Sequence, residues 1–392
     1  MDFIITSLQS WHEKIGTTIR NTALEIAKRH RVIYVNTPAT LIDRLHGVKK
    51  CRPPYLQPVN SNLWVLECPF AVWPVNRLPS ALFKMANYLN NQKIARWIAS
   101  QAATLHFKDS ILLIDNDIYR SRYLKQFLRP ALSIYYRRDY VIGFDYWKKH
   151  GPSCEQELVR ASDLVITNSS YFTKELSPYN ARIYTTNTGV NLQLYDAARP
   201  YDTPSDIRDI PRPIIGYTGA LIETRLDIEL LYKLARQLSQ YSFVLVGPED
   251  DCFRQHPLHT LPNVHFTGQK RVEELPAYIR QFDVCINPQK LNPITIGNYP
   301  LKVDEYLAMG KPVVATRTHT MDDVFARHTH LATDCEGYVS AIQTALQESS
   351  NAQLKEERIA FAHTHDWAHS VEKIYKAIDQ YLTEKSSSAS VR

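Results

Sequence analysis

No apolar run in this sequence approaches the ~18–20 residues of a membrane-spanning helix. The start, "MDFIITSLQSW", has no basic n-region and no small-residue cleavage site, so no signal peptide is expected and a cytoplasmic setting is the simplest one. The six cysteines, at 51, 68, 154, 252, 285 and 335, show no CxxC and no metal-like spacing. Reduced thiols follow, and structural zinc is not expected. A G-x-G-x-x-G fingerprint is missing, as is any RNP-like aromatic pattern, which argues against nucleic acid as a partner. The triplet Asp115-Asn116-Asp117 lacks a third carboxylate, so it reads as a helix cap and no metal site is expected.

What remains is the composition of a globular protein, 44% hydrophobic and 22% charged over 392 residues. That length suits two domains. Charge is uneven: residues 1–195 carry 25 Lys/Arg against 14 Asp/Glu, and residues 196–392 carry 21 against 26, or +11 and −5. A basic first half points to an anionic partner, a lipid head group or a diphosphate, unless the charge is merely spread over the surface.

Short apolar runs alternate with amphipathic segments. Strands are predicted at 3–7, 31–36, 63–67, 111–115, 132–136, 164–168 and 182–186, then at 213–219, 242–247, 264–268, 282–288, 311–316 and 329–333. Runs of β-branched residues without polar alternation suit parallel strands covered on both faces, and repeated βα units imply doubly wound α/β domains. The Pro- and Asp-rich stretch 195–213 marks the boundary. The predicted organisation is an N-terminal domain over 1–195, a second domain over 196–367, a terminal helix over 368–384 returning toward the first domain, and a disordered polar tail over 385–392. Two such sheets facing each other would form a cleft.

The stretch 298–316, "NYPLKVDEYLAMGKPVVAT", carries the most chemistry. Pro300 suits a first helical position and Asn298 the cap. The first turn then offers free N–H groups and positive dipole to an anion. Lys302 in that turn is unfavourable for the helix itself, so an anionic ligand would offset a cost. Glu305 lies on the same face, about 4.5 Å further along the axis. That offset suits a diphosphate at the helix tip with ribose hydroxyls on the carboxylate; an ordinary surface Lys–Glu pair is the competing reading. "PIIGYTGALIETRLD" adds a strand ending at Gly219, where backbone can approach a ligand, with Arg225 in reach of a phosphate.

The segments "GYTGAL", "FVLVGP", "LPNVHFTGQKRVEELPAYIRQFDVCINP", "PLKVDEYLAMGKPVVAT" and "HDWAHSVEKIYKAI", in this order, resemble the nucleotide-sugar domain of GT-B glycosyltransferases of the family 4, or group 1, type. "ASDLVITNSSYFTKEL" and "NTGVNLQLY" resemble the end of that family's acceptor domain. The resemblance implies a GT-B fold, two Rossmann-like domains facing a cleft, and transfer of a hexose from a nucleotide diphospho-sugar. It favours a UDP-sugar donor and requires no cofactor or metal. Glu305 matches the ribose-binding carboxylate, Lys302 a lysine on the donor diphosphate, and Arg225 the basic residue of the phosphate-binding Arg/Lys pair. Two positions depart from the pattern: Ala220 stands where the partner arginine would, and Gly297 where the first glutamate of E-x7-E would.

In the first half, "IYYRRDYVIGFDYWKKHG" places Arg137, Arg138 and Asp139 after a strand end. The arginines are candidate acceptor-binding residues. Asp139 is either a general base for an acceptor hydroxyl or an aspartate ion-paired between them. Gly16, in "WHEKIG", is a candidate for the glycine that approaches the donor phosphates. The basic, aromatic-rich first half suits an acceptor carried on a lipid diphosphate at the inner membrane face; core filling by the aromatics is the alternative. The resemblance implies a glycan or lipid-diphosphate-sugar acceptor and bacterial surface polysaccharide assembly as the setting. A noncatalytic nucleotide-sugar-binding subunit and a GT-B-shaped sugar epimerase are the other functional classes.

Overall fold

The computed structural model describes residues 1–13, 17–47 and 51–390. It divides into two compact units, unit 1 comprising residues 1–186 and 370–392 and unit 2 comprising residues 187–369. The division thus falls before the Pro- and Asp-rich stretch, whose Tyr195 and Ile207 are buried in the unit 2 core.

Unit 1 holds an eight-stranded sheet made of β1 (Asp2–Ser7), β2 (Arg31–Val35), β3 (Leu56–Pro58), β4 (Leu63–Leu66), β5 (Ile111–Asp115), β6 (Leu132–Arg137), β7 (Leu164–Thr167) and β8 (Ile183–Thr185). Their order is β3-β4-β2-β1-β5-β6-β7-β8. All pairings are parallel except β3 with β4. β1 is buried at all six positions, because successive side chains alternate between two covered faces. Phe3 and Ile5 enter one core, together with Tyr34, Leu113 and Ile134. Ile4 enters the other with Ile33, Leu112, Ile114 and Tyr135. β3 is missing from the sequence expectations: it is three residues long, antiparallel and at the sheet edge, and it contains Pro58, a residue confined to such edges.

Unit 2 repeats the design with β9 (Ile214–Thr218), β10 (Ser242–Val246), β11 (Val264–Gly268), β12 (Val284–Asn287), β13 (Val313–Thr316) and β14 (His330–Ala332), in the order β11-β10-β9-β12-β13-β14. Every pairing is parallel. Ile214, Val244, Cys285 and Val313 face one core, and Ile215, Phe243, Val284 and Val314 the other.

The last helix, Trp367–Ser390, begins in unit 2 and continues in unit 1. Val371, Ile374 and Ile378 enter the unit 1 core beside Phe3 and Ile26. The segment expected to be a disordered tail from 385 is helical through Ser390. It contains no Gly or Pro to break the helix, and the Ser386 and Ser387 hydroxyls donate to the carbonyls of Leu382 and Thr383 one turn back.

This packing gives a testable outcome. Ile374→Ala, at a fully buried position, should destabilise the protein by about 2–5 kcal/mol in urea unfolding. Leu382→Ala, 38% exposed on the same helix, should change little.

Candidate functional site

In unit 2 the strand order reverses between β9 and β12. Loops leaving adjacent parallel strands in opposite directions open a crevice at the carboxyl edge, where ligands of such sheets bind. Two glycines shape one side of it. The Gly219 N–H donates to the Val246 carbonyl at 2.9 Å, and a Cβ on Gly247 would lie 1.9 Å from the Gly219 carbonyl oxygen. Both residues have positive φ, +134° and +156°, so glycine is required at each. Gly247 was not among the sequence candidates, although "FVLVG" ends on it as "GYTG" ends on Gly219.

The other side is the helix Leu301–Ala308. Its N-cap is Pro300, and no side chain caps it, which leaves first-turn N–H groups without a side-chain acceptor. Asn298 therefore does not cap this helix. Its side chain is buried, and its Oδ1 accepts the Gln289 amide at 3.1 Å, because the turn at 292–297 carries the backbone away from cap geometry and the Asn298 N–H donates to the Thr295 carbonyl.

Three interactions seat the helix. The Thr218 backbone N–H donates to the Tyr306 hydroxyl at 2.8 Å, fixing the helix to the end of β9. Asp304, fully buried, accepts the Tyr299 hydroxyl at 2.6 Å and pairs with His365 Nδ1 at 2.8 Å. Burial raises the Asp304 pKa, and the His365 bond partly opposes the rise.

Lys302 and Glu305 are thereby held. Lys302 Nζ donates to the Tyr217 hydroxyl at 3.0 Å and lies 4.7 Å from that ring's centroid. It sits beside Gly219, 3.1 Å from where a Cβ would be. The Lys302 ammonium thus reaches the β9 end next to Ala220, where the pattern named above has an arginine. Glu305 keeps some accessible surface, but the protein packed around it pushes its pKa up to about 7; the Lys302 charge and the nearby Tyr195 hydroxyl oppose that rise. The Tyr195 hydroxyl is buried and has no protein partner within hydrogen-bond geometry. Arg225 is partly buried in the loop after β9. Its carbonyl accepts the Lys290 N–H at 3.0 Å, and a Glu223–Lys290 ion pair joins the same two loops. Gly219, Lys302 and Glu305 are therefore brought together, with Arg225 on the loop alongside.

Two more residues were not anticipated. Asn287, fully buried at the end of β12, has both amide atoms without a protein partner, and Gln289 Oε1 is likewise unpartnered. Polar atoms so buried are ordinarily bonded, so the end of β12 holds more hydrogen-bonding capacity than the fold uses. Gly297, by contrast, has no side chain to offer, and its carbonyl accepts the Thr320 hydroxyl.

In unit 1 the two arginines are corrected. Arg137 is fully buried, 3.4 Å from Glu155 and 3.0 Å from Glu175, with its guanidinium over the rings of Phe172 and Tyr140. Its guanidinium nitrogens make no hydrogen bond to either carboxylate, and its full burial keeps it from the surface where an acceptor would meet it. Arg138 clamps Asp115 with contacts of 2.5 and 2.8 Å and reaches Gln9 Oε1 at 3.1 Å. Asp115 consequently does not cap a helix; it also accepts the Ser7 hydroxyl at 2.6 Å. Asp117 does act locally, accepting the Arg120 N–H. Asp139 follows β6, is half-buried, and its carbonyl accepts the Val141 N–H at 3.0 Å. Gly16 lies outside the described residues. Among the described residues no group of three or more His, Cys, Asp or Glu side chains could hold a metal ion.

Residues 212–348 match the family model for glycosyl transferases group 1. Over 234 residues the chain is 27% identical to a Bacillus subtilis (strain 168) protein named as a teichuronic acid biosynthesis glycosyltransferase, TuaH; the match covers 57% of this chain and 58% of that protein. The chain thus spans little more than half the length of this curated relative. Among solved structures, sucrose-phosphate synthase from Thermosynechococcus elongatus superposes with a TM-score of 0.71 at 16% identity, over 98% of this chain and 100% of the other. Anabaena HepE in complex with UDP gives 0.67 at 15% identity, over 97% and 100%. The chain has the GT-B fold, and the stretch that matches the group 1 glycosyl transferase model lies within its second unit.

Glu305 also makes stability depend on pH. A carboxyl group whose pKa rises on folding, here from 4.5 to about 7, contributes stability that is present below pH 4.5 and lost as pH rises through 7. Wild type should therefore lose stability relative to Glu305→Gln between pH 5 and pH 8 in denaturant titrations. A difference that does not change with pH would show that Glu305 is not desolvated.

Proposed function

We propose that the chain is a glycosyltransferase that moves a hexose from a nucleoside diphospho-sugar, favoured to be a UDP-sugar, to a hydroxyl of a lipid-linked or polysaccharide acceptor. The observation that carries the reading is Lys302, held on an uncapped helix start beside Gly219 with Glu305 one turn on. Diphosphate oxygens would accept from the helix N–H groups and Lys302, and Arg225 would add charge from the loop after β9. The leaving diphosphate is then stabilised by donors aimed where negative charge develops. The Glu305 carboxylate would accept the ribose hydroxyls.

Support for the donor comes from the HepE structures, solved with UDP and with UDP-glucose, and from the Escherichia coli trehalose-6-phosphate enzyme solved with UDP-2-fluoroglucose. Support for the acceptor class comes from the teichuronic acid protein. Among the described residues no helix is long and apolar enough to cross a membrane, so action at the inner membrane face would be peripheral. Asp139, just after β6, is the proposed base for the acceptor hydroxyl.

The test supplies UDP-[14C]glucose and a membrane extract as acceptor source, and follows label into organic-extractable or polymeric product. Wild type should transfer label. Asp139→Asn should bind UDP-glucose normally while losing about 10²–10⁴-fold in turnover. Full activity in the variant would remove Asp139 from the mechanism. Donor binding without transfer by wild type would favour a noncatalytic binding subunit, the reading that Gly297 and Ala220 keep open.

A further inference from the structure

Among the described residues twelve large apolar side chains are exposed, and nine of them lie between positions 41 and 89 of unit 1. The helix Ser80–Thr104 explains part of this: its first half turns apolar side chains to solvent while three asparagines point inward beside the buried Phe83, Ile94 and Ile98. Its inner face carries Asn87, Asn90 and Asn91, all buried. These bond the backbone of Tyr119, Trp73 and Tyr123 at 2.8–2.9 Å. Its outer face carries Leu82, Met85 and Leu89, each about half exposed, at the i, i+3, i+7 spacing of one stripe. An exposed apolar patch of this kind marks an interaction surface.

The stripe has neighbours. Trp73, 59% exposed, is fixed to the helix by reciprocal bonds with Asn90. The Val72 carbonyl accepts the N–H of Leu41, the first residue of the helix Leu41–Leu45, whose Leu45 is 85% exposed. The two helices and the segment between them are therefore side by side. Lys84 and Arg96 on the same helix, and Arg77 just ahead of it, are all exposed. Residues 41–100 carry eight Lys/Arg and two Asp/Glu, a net +6 that equals the charge of the whole chain.

We infer that this face docks on an anionic lipid bilayer. The net +6 of residues 41–100 complements an anionic surface, and exposed Leu, Met and Trp flanked by flexible cations suit a helix lying in the head-group plane. The proposal rests on the lipid-linked acceptor reading for its purpose only: docking would bring unit 1 to the surface where such an acceptor sits. Binding is measurable without turnover, so failure of either reading is seen separately.

The experiment sediments the full chain with phosphatidylglycerol–phosphatidylethanolamine vesicles and with phosphatidylcholine vesicles, at low and high salt. Wild type should bind the anionic vesicles, weakly at high salt, and bind neutral ones poorly. The Leu82→Ser/Met85→Ser/Leu89→Ser variant should lose binding. Lys84→Glu/Arg96→Glu should weaken it by at least about tenfold, since each cation near an anionic surface is worth about fivefold. Both variants should keep the wild-type Tm, as the altered side chains are exposed. Equal binding by the variants, or no binding by wild type, overturns the proposal. So does a wild-type dimer that the triple variant dissociates, which would make the face a protein interface.

Discussion

The Thr218 backbone N–H donates to the Tyr306 hydroxyl, and the geometry of the candidate site hangs on that bond. It joins the last residue of β9 to the middle of the helix that carries Lys302 and Glu305. A helix of eight residues has little stability of its own, so its position is set by what it is tied to. The second tie is Asp304, whose bonds to Tyr299 and His365 hold the buried face of the same helix. Between the two, the first turn cannot rotate, and Lys302 is delivered to Gly219 while Glu305 is presented one turn behind. A buried network of this kind is costly unless its members are satisfied, and here each of those tying groups has a partner.

The candidate site residues are the ones the fold leaves uncomfortable. A cation in the first turn of a helix is disfavoured by roughly 0.3–1 kcal/mol, and a carboxyl group with its pKa pushed up to about 7 has lost part of its hydration. Asn287 and Gln289 add amide atoms that nothing in the protein bonds. In unit 1 Arg138 is bidentate on Asp115, and Arg137 lies at ion-pair distance from Glu155 and Glu175, although its guanidinium nitrogens make no hydrogen bond. Unsettled polar groups gathered at a strand-order reversal are what a binding site costs the folded state. Under the proposed reading, an anionic sugar nucleotide offsets that cost.

Much of this was legible in one dimension. Strands such as β1 and β10 read clearly because both faces are covered, so the apolar run is continuous. Lys302 and Glu305 stood out because their charges sit on a helix start, where sequence position alone fixes their common face. Contacts over long sequence separation were not legible. Arg137 and Arg138 read as acceptor-binding candidates, yet their partners are 18 and 38 residues downstream and 23 upstream, on elements that only the folded sheet brings near. Asn298 looked like a cap because the sequence does not reveal that Gln289 would take its side chain. The helix Ser80–Thr104 hid its exposed stripe, since the asparagines on its inner face cannot be told from a solvated face by hydropathy.

The most direct measurement is a thermal-shift panel of UDP, GDP, ADP and TDP on wild type and Lys302→Ala. A ligand at ~100 times its dissociation constant stabilises by about 2.7 kcal/mol, well within detection. The account predicts that one nucleotide, UDP by preference, raises the wild-type Tm and that the rise disappears in the variant. A nucleotide that stabilises both proteins equally, or a panel that stabilises neither, would contradict the claim that the helix start at Lys302 is a diphosphate cradle.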